Sequence, residues 1–151
     1  MQKPINILNK RARFDYEILD KFVAGIQLTG TEIKSIRLGK ASVTESFCEF
    51  HENELFVVNM YIQEYSFGTH YNHVPRGERR LLLTKKELKG LQKNVENKGL
   101  TIIPLRLFIN ERGLAKLEIA LGRGKKLYDK RETLKTREAD RKLDRIKKEY
   151  R

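Results

Sequence analysis

Two hairpin signals between short aromatic and β-branched runs, one long alternating run and two helix-capping boxes predict a mainly β chain with short helices. In order they read β-α-β-β-loop-β-α-β-β with short links, which argues for a small antiparallel barrel of the OB type. Such a barrel buries one face of every strand and removes exposed edges. The 151 residues, 39% of them hydrophobic, suffice for one domain of this kind and a basic C-terminal tail beyond it.

The elements follow from residue spacing. Residues 1–13 read as a basic lead-in containing Asn9, Lys10, Arg11 and Arg13. Tyr16, Ile18, Phe22, Ala24, Ile26 and Leu28 then alternate as one long bent strand, with a bulge expected at Gly25. Thr29 followed by Glu32 is a capping box that opens a helix of about two turns, carrying Ile33, Ile36 and Arg37 and closing at Gly39. Phe47–His51 and Leu55–Ile62 flank Glu52-Asn53-Glu54 as a hairpin. The polar stretch 63–79, with Gly68, His70, Asn72, His73, Pro75 and Gly77, is a long loop of the kind that is usually functional or mobile. Leu81–Leu83 is a brief strand, and Thr84 with Glu87 opens a second helix through Leu88, Leu91 and Val95 to Gly99. Leu100–Ile109 and Leu114–Leu121 flank a second hairpin turn at 110–113. The barrel is therefore expected over 14–121 and the tail over 122–151.

Charge points to the partner. Lysine and arginine exceed aspartate and glutamate by 12, an excess that in so small a protein suggests a polyanion, most commonly nucleic acid, with an anionic membrane surface as the competing reading. The tail from Gly122 holds 13 basic against 6 acidic residues, so most of the excess is concentrated there. It has no proline, and Tyr128, Ala139, Leu143, Ile146 and Tyr150 fall on one helical face, so a segment unfolded when free and helical on its partner is expected. No apolar run approaches the roughly 18 residues of a spanning helix, and Lys3, Pro4, Lys10 and Arg11 leave no signal-peptide core. With Cys48 as the single cysteine, an intramolecular disulfide and a cysteine-rich zinc site are excluded. A cytoplasmic monomer with no membrane partner is expected.

Three basic clusters compete with plainer readings. Lys10, Arg11 and Arg13 beside Phe14 and Tyr16 combine phosphate-binding cations with stackable rings, against a merely solvated arm. Arg76, Arg79 and Arg80 bracket the long loop, where ordinary loop charge is the favoured reading. Gly122-Arg-Gly-Lys-Lys126 with Asp129-Lys-Arg131 is the strongest, since its glycines free the backbone while cations crowd together. His51, His70 and His73 lack metal-site spacing, the glycine-rich fragment lacks the Walker pattern, and no nucleophile–base pairing is legible. No catalytic residue, metal or cofactor is expected.

Five blocks, Asn9-Lys-Arg-Ala-Arg, Gly30-Thr-Glu-Ile-Lys-Ser-Ile-Arg-Leu-Gly-Lys40, Arg80-Leu-Leu-Leu83, Ile103-Pro-Leu-Arg and Gly124-Lys-Lys-Leu-Tyr-Asp-Lys-Arg131, resemble the small protein B family, the SsrA-binding proteins of bacterial trans-translation. The resemblance implies an OB-like barrel that binds the tRNA-like domain of transfer-messenger RNA and brings it to stalled ribosomes. Protein and RNA together would mimic a tRNA, with the tail in the empty mRNA channel and decoding centre. Carried over by position, Asn9, Lys10, Arg11, Tyr16, Lys34, Arg37, Leu82 and Lys116 would face the RNA. Gly124, Lys125, Lys126, Asp129, Lys130, Arg131 and Ile146 would serve the ribosome.

The chain departs from the family pattern at a few places. Val23 stands where relatives usually carry a glutamate that contributes to RNA contact, and Phe14 replaces a usual histidine. Val74 and Gly77 replace an aspartate and an arginine beside Pro75, and Glu64 stands where a proline often precedes Tyr65. Two other readings compete: a different OB-type translation factor or ribosomal protein, and a nuclease or metal-dependent RNA enzyme.

Overall fold

The computed structural model describes residues 4–68 and 72–125. Its strands and helices are β1 (Asn6–Leu8), α1 (Ala12–Asp15), β2 (Tyr16–Ile26), α2 (Gly30–Arg37), β3 (Ala41–Ser42), β4 (Phe47–His51), β5 (Glu54–Val58), β6 (Tyr61–Ile62), β7 (Arg79–Leu82), α3 (Lys85–Lys98), β8 (Thr101–Ile109) and β9 (Ala115–Gly124). The main sheet runs β1-β8-β4-β5-β7-β2-β9, and a further β8–β9 pairing closes it. Every pairing is antiparallel. The result is an antiparallel barrel, as expected from the sequence, and a closed one, with β1 added along the edge of β8.

The core fills the barrel because the strands alternate. Leu55 and Val57, Leu81, Ile102 and Leu107, and Leu117 and Ile119 are buried, joined from the helices by Ile36 and Leu91. Each such side chain contributes about 1.5–3 kcal/mol. A second, smaller cluster lies on the outer side of β8 and β9, where α1 lays Ala12 over Ile103, Leu105 and Ala120, with Tyr16 and Ile18 at its margin. This explains why β8 reads as a continuous apolar run: over 102–105 it is buried on both faces.

Both capping boxes form. Thr29 accepts from the Glu32 amide at 3.4 Å while Glu32 accepts from the Thr29 amide at 2.8 Å, and Thr84 with Glu87 repeats the exchange at α3. Gly39 (φ 76°) and Gly99 (φ 63°) close the two helices in the left-handed conformation that only glycine adopts without penalty.

Four expectations need correction. The lead-in is not irregular throughout: Asn6–Leu8 pairs with β8 over 106–108, a strand too short to show a period. The irregularity in β2 lies at Leu19, between Ile18 and Asp20, rather than at Gly25. The run from Leu55 to Ile62 is broken where Asn59 turns to positive φ (66°), so β6 leaves the barrel sheet and pairs with β3. Finally, β9 continues to Gly124, pairing Gly122 with Ile18 and Gly124 with Tyr16, three residues past the boundary that the step in charge suggested. Gly122 does not loosen the chain there. It is buried in the strand, and a Cβ at this position would lie 3.2 Å from the Cβ of Tyr16.

Candidate nucleic-acid interface

The outer face of the barrel is built from residues that oppose one another across strands. Gly25 on β2 pairs with Leu82 on β7 and with Lys116 on β9, and Lys116 in turn opposes Phe108 on β8. Because directly opposed residues share a face, these side chains form one row. Gly25 leaves a gap in it: a Cβ there would sit 3.3 Å from the Leu82 Cβ. The gap belongs to a cavity of about 310 Å³ lined by Leu82, Leu114, Ile33, Arg37 and Lys116. Arg37 reaches it from α2, donating to the Gly113 carbonyl at 3.3 Å. Two cations and no carboxylate line this cavity, and Leu82 and Leu114 stand about half exposed at its rim (48% and 54%).

Lys34 lies one turn before Arg37 on α2, exposed, with its ammonium 5.5 Å from the centre of the Tyr65 ring. Lys10, Arg11 and Tyr16 are elsewhere. Tyr16 opposes Gly124 at one end of the β2–β9 ladder, whereas Gly25 opposes Lys116 near the other, about 30 Å further along the chain at ~3.3 Å per residue. The sequence-derived RNA-facing residues therefore form two clusters rather than one.

The N-terminal cluster is partly committed to the protein itself. The Asn9 side-chain amide donates to the Pro104 carbonyl at 2.9 Å, and its oxygen accepts from the Arg11 amide at 3.2 Å. Pro104 lies where the β8–β9 register slips, the kind of bulge to which a strand proline is confined. Asn9 thus fixes the lead-in against β8. Arg11 pairs with Asp15 at 3.3 Å and lies over the Phe14 ring, while Lys10 is exposed. Lys125, last of the described residues, donates to the Arg13 carbonyl at 3.1 Å, which brings the start of the tail beside this cluster. Lys126, Asp129, Lys130, Arg131 and Ile146, the apolar stripe of the tail, and His70 lie outside the described residues.

Among 635 matching curated proteins, the SsrA-binding protein of Flavobacterium psychrophilum is 68% identical over 99% of this chain and 100% of its own length. The SsrA-binding protein of Chlorobaculum tepidum is 51% identical over 95% and 92%. The family model described as SmpB protein matches residues 6–149. The chain belongs to the SmpB family. A solved chain described as "tmRNA-SmpB: a journey to the center of the bacterial ribosome" shares 50% identity and superposes with a TM-score of 0.71 over 92% of this chain and 96% of that one. SmpB membership thus selects the SsrA-binding reading over an unrelated OB-type factor.

Within this SmpB frame, the arginines of the long loop are committed to architecture. Arg79 is buried and ion-paired through Nε to the buried carboxylate of Glu32, while its other nitrogens donate to the carbonyls of Met60, Val74 and Pro75. His73 holds the same loop: its Nε2–H donates to the Ile62 carbonyl and its Nδ1 shares a hydrogen bond with the Thr31 hydroxyl, both at 2.9 Å. Arg76 donates to the Asn59 carbonyl and covers the Tyr61 ring, and Arg80 pairs with Glu54. The one sign of this in the sequence is Glu32, whose capping-box role placed it at the start of α2 without revealing that its second oxygen faces inward.

Val23, half exposed (52%), opposes Glu118, which is paired with Arg106 at 3.4 Å. Arg106 also stacks over Phe108 at 4.0 Å, adding a cation beside Lys116 that spacing alone did not reveal. Glu49, His51 and Glu78 bring their side-chain nitrogen and oxygens within 4.8 Å of one another. They are largely exposed, and the 2.9 Å contact of His51 with Glu49 is an ordinary surface pairing that needs no ion. No helix among the described residues is long and apolar enough to cross a membrane.

Proposed function

We propose that this protein binds the tRNA-like domain of transfer-messenger RNA and delivers it to stalled ribosomes for trans-translation, as a cytoplasmic RNA-binding factor without catalysis of its own. The observation that carries this reading is SmpB membership across residues 6–149, which takes in both the barrel and the basic tail. The acid-free pair of Arg37 and Lys116 around an apolar recess supports it. Cations set the register on phosphates, and the recess with Leu82 offers an apolar surface to a sugar or base.

The N-terminal cluster adds Lys10, Arg11 and the Tyr16 ring at a second point, so the RNA would be held at two sites spaced along one strand. The tail would enter the ribosomal mRNA channel, with Lys126, Asp129, Lys130 and Arg131 near its start and Ile146 further out. Its cations would be neutralised there, with release of counterions offsetting the cost of ordering the chain.

Binding to transfer-messenger RNA and to ordinary tRNA, measured at matched salt, tests the reading. A clear preference for transfer-messenger RNA is expected, and equal affinity for the two would contradict it. RNA left intact with added divalent metal is expected as well; cleavage would restore the nuclease reading. Replacing Asp129, Lys130 and Arg131 together by alanine should leave RNA binding in place and abolish tagging of nascent chains on stalled ribosomes.

A further inference from the structure

Helix α3 presents four lysines on one side. At about 100° per residue, Lys85, Lys86, Lys89 and Lys93 fall within an arc of roughly 100°, centred about 140° from the stripe of Leu88, Leu91 and Val95, which packs on the core. All four are exposed, and none has an ion-pair partner among the described residues. Solvated helix faces ordinarily balance such charges with carboxylates three or four positions away. Here Glu87 is turned into the capping box with Thr84, and the remaining acid of the helix, Glu96, stands three residues beyond Lys93 at the far end of the same face. Lys85, Lys86 and Lys89 therefore have no carboxylate of the helix beside them other than the capping Glu87.

The ridge also has a defined place. Lys85 follows Leu82 by three residues, so its backbone lies within about 10 Å of the recess lined by Leu82, Arg37 and Lys116. From Lys85 to Lys93 the helix then rises about 12 Å. Gln92 donates to Asn53 at 3.2 Å, holding the middle of the helix against the β4–β5 turn.

We propose that the α3 ridge of Lys85, Lys86, Lys89 and Lys93 is a phosphate track that continues the Arg37–Leu82–Lys116 site and carries the backbone of the same transfer-messenger RNA away from it. This rests on the proposed function. Lysines act there as point charges on phosphates and read no sequence. The four-residue repeat along the ridge, about 6 Å, is comparable to the distance between neighbouring backbone phosphates.

The test is the salt dependence of transfer-messenger RNA binding by the full-length chain, wild type and the quadruple variant Lys85→Gln, Lys86→Gln, Lys89→Gln and Lys93→Gln. Removing one lysine–phosphate pairing flattens the log–log slope by about 0.7–0.9, so a slope reduced by about 3 and affinity weakened at least about tenfold are expected. The corresponding quadruple arginine variant should restore the wild-type slope, which separates the effect of charge from that of a damaged helix. An unchanged slope in the glutamine variant, with wild-type preference for transfer-messenger RNA intact, would overturn the track alone. So would loss of ribosome association with RNA binding unaltered, because the ridge would then serve ribosomal RNA. A wild-type protein without preference for transfer-messenger RNA would instead overturn the underlying function.

Discussion

Arg79 and Leu82 stand at the two ends of a four-residue strand, β7, and mark two regions that use charge in opposite ways. At the Arg79 end the guanidinium is buried, and its donors are taken by Glu32 and three carbonyls. At the Leu82 end, Arg37 and Lys116 line an open recess with no carboxylate in it. A count of positive residues cannot distinguish the two. The difference is made by the fold, which gives one cation internal partners and leaves the others facing solvent.

The largest effect should follow from breaking the buried side of this comparison. Arg79→Met leaves the Glu32 carboxylate buried without its partner, a loss of about 3–5 kcal/mol. Urea unfolding should show it as a lower midpoint, and a midpoint near wild type would mean that the pair does not hold the loop. Next comes the end of β9. Gly122→Val must force Tyr16 and Ile103 apart, at a cost of about 1–3 kcal/mol. Ending the chain after Leu121 should also destabilise the barrel, because it removes the pairing of Gly122–Gly124 with Tyr16–Ile18, whereas ending it after Lys125 should leave unfolding nearly unchanged.

The open side should behave in the reverse way. Arg37→Ala combined with Lys116→Ala is expected to shift stability by less than about 1 kcal/mol while flattening the salt slope of transfer-messenger RNA binding by about two units. A large loss of stability with the slope intact would place these residues with Arg79 instead. The smallest effect concerns the interior. Cys48 is a buried free thiol whose burial pushes its pKa above the usual range, so a thiol reagent should modify it only as fast as the barrel opens. Rapid labelling of the native protein would show that the β4–β8 seam breathes.

Much of the fold was legible because the signals are local. Thr29 with Glu32 and Thr84 with Glu87 marked both helix starts, and Gly39 and Gly99 marked their ends. Glu52 and Asn53, both at positive φ, form the turn that the hairpin pattern indicated. What local spacing could not show was anything decided across the barrel. The short strand at Asn6–Leu8 exists because β8 offers an edge, and Gly25 has little room for a side chain because Leu82 approaches it from β7.

The site was legible in a similar measure. Family-like motifs pointed to Arg37, Leu82 and Lys116, which the fold brings to one recess. The same motifs pointed to Lys10, Arg11 and Tyr16, which lie at the far end of β2, and to Asn9, whose amide is engaged with Pro104. Arg79 looked like its neighbours in sequence, since nothing in the chain announces that Glu32 waits for it 47 positions away.

The division between an RNA-binding barrel and a ribosome-directed tail is tested most directly with the chain ended after Lys125. Its binding to transfer-messenger RNA and to tRNA would be measured at one salt concentration, alongside tagging of nascent chains on stalled ribosomes. The shortened protein is expected to keep its preference for transfer-messenger RNA and to support no tagging. Loss of that preference in a folded barrel, or tagging that continues without the tail, would contradict the account.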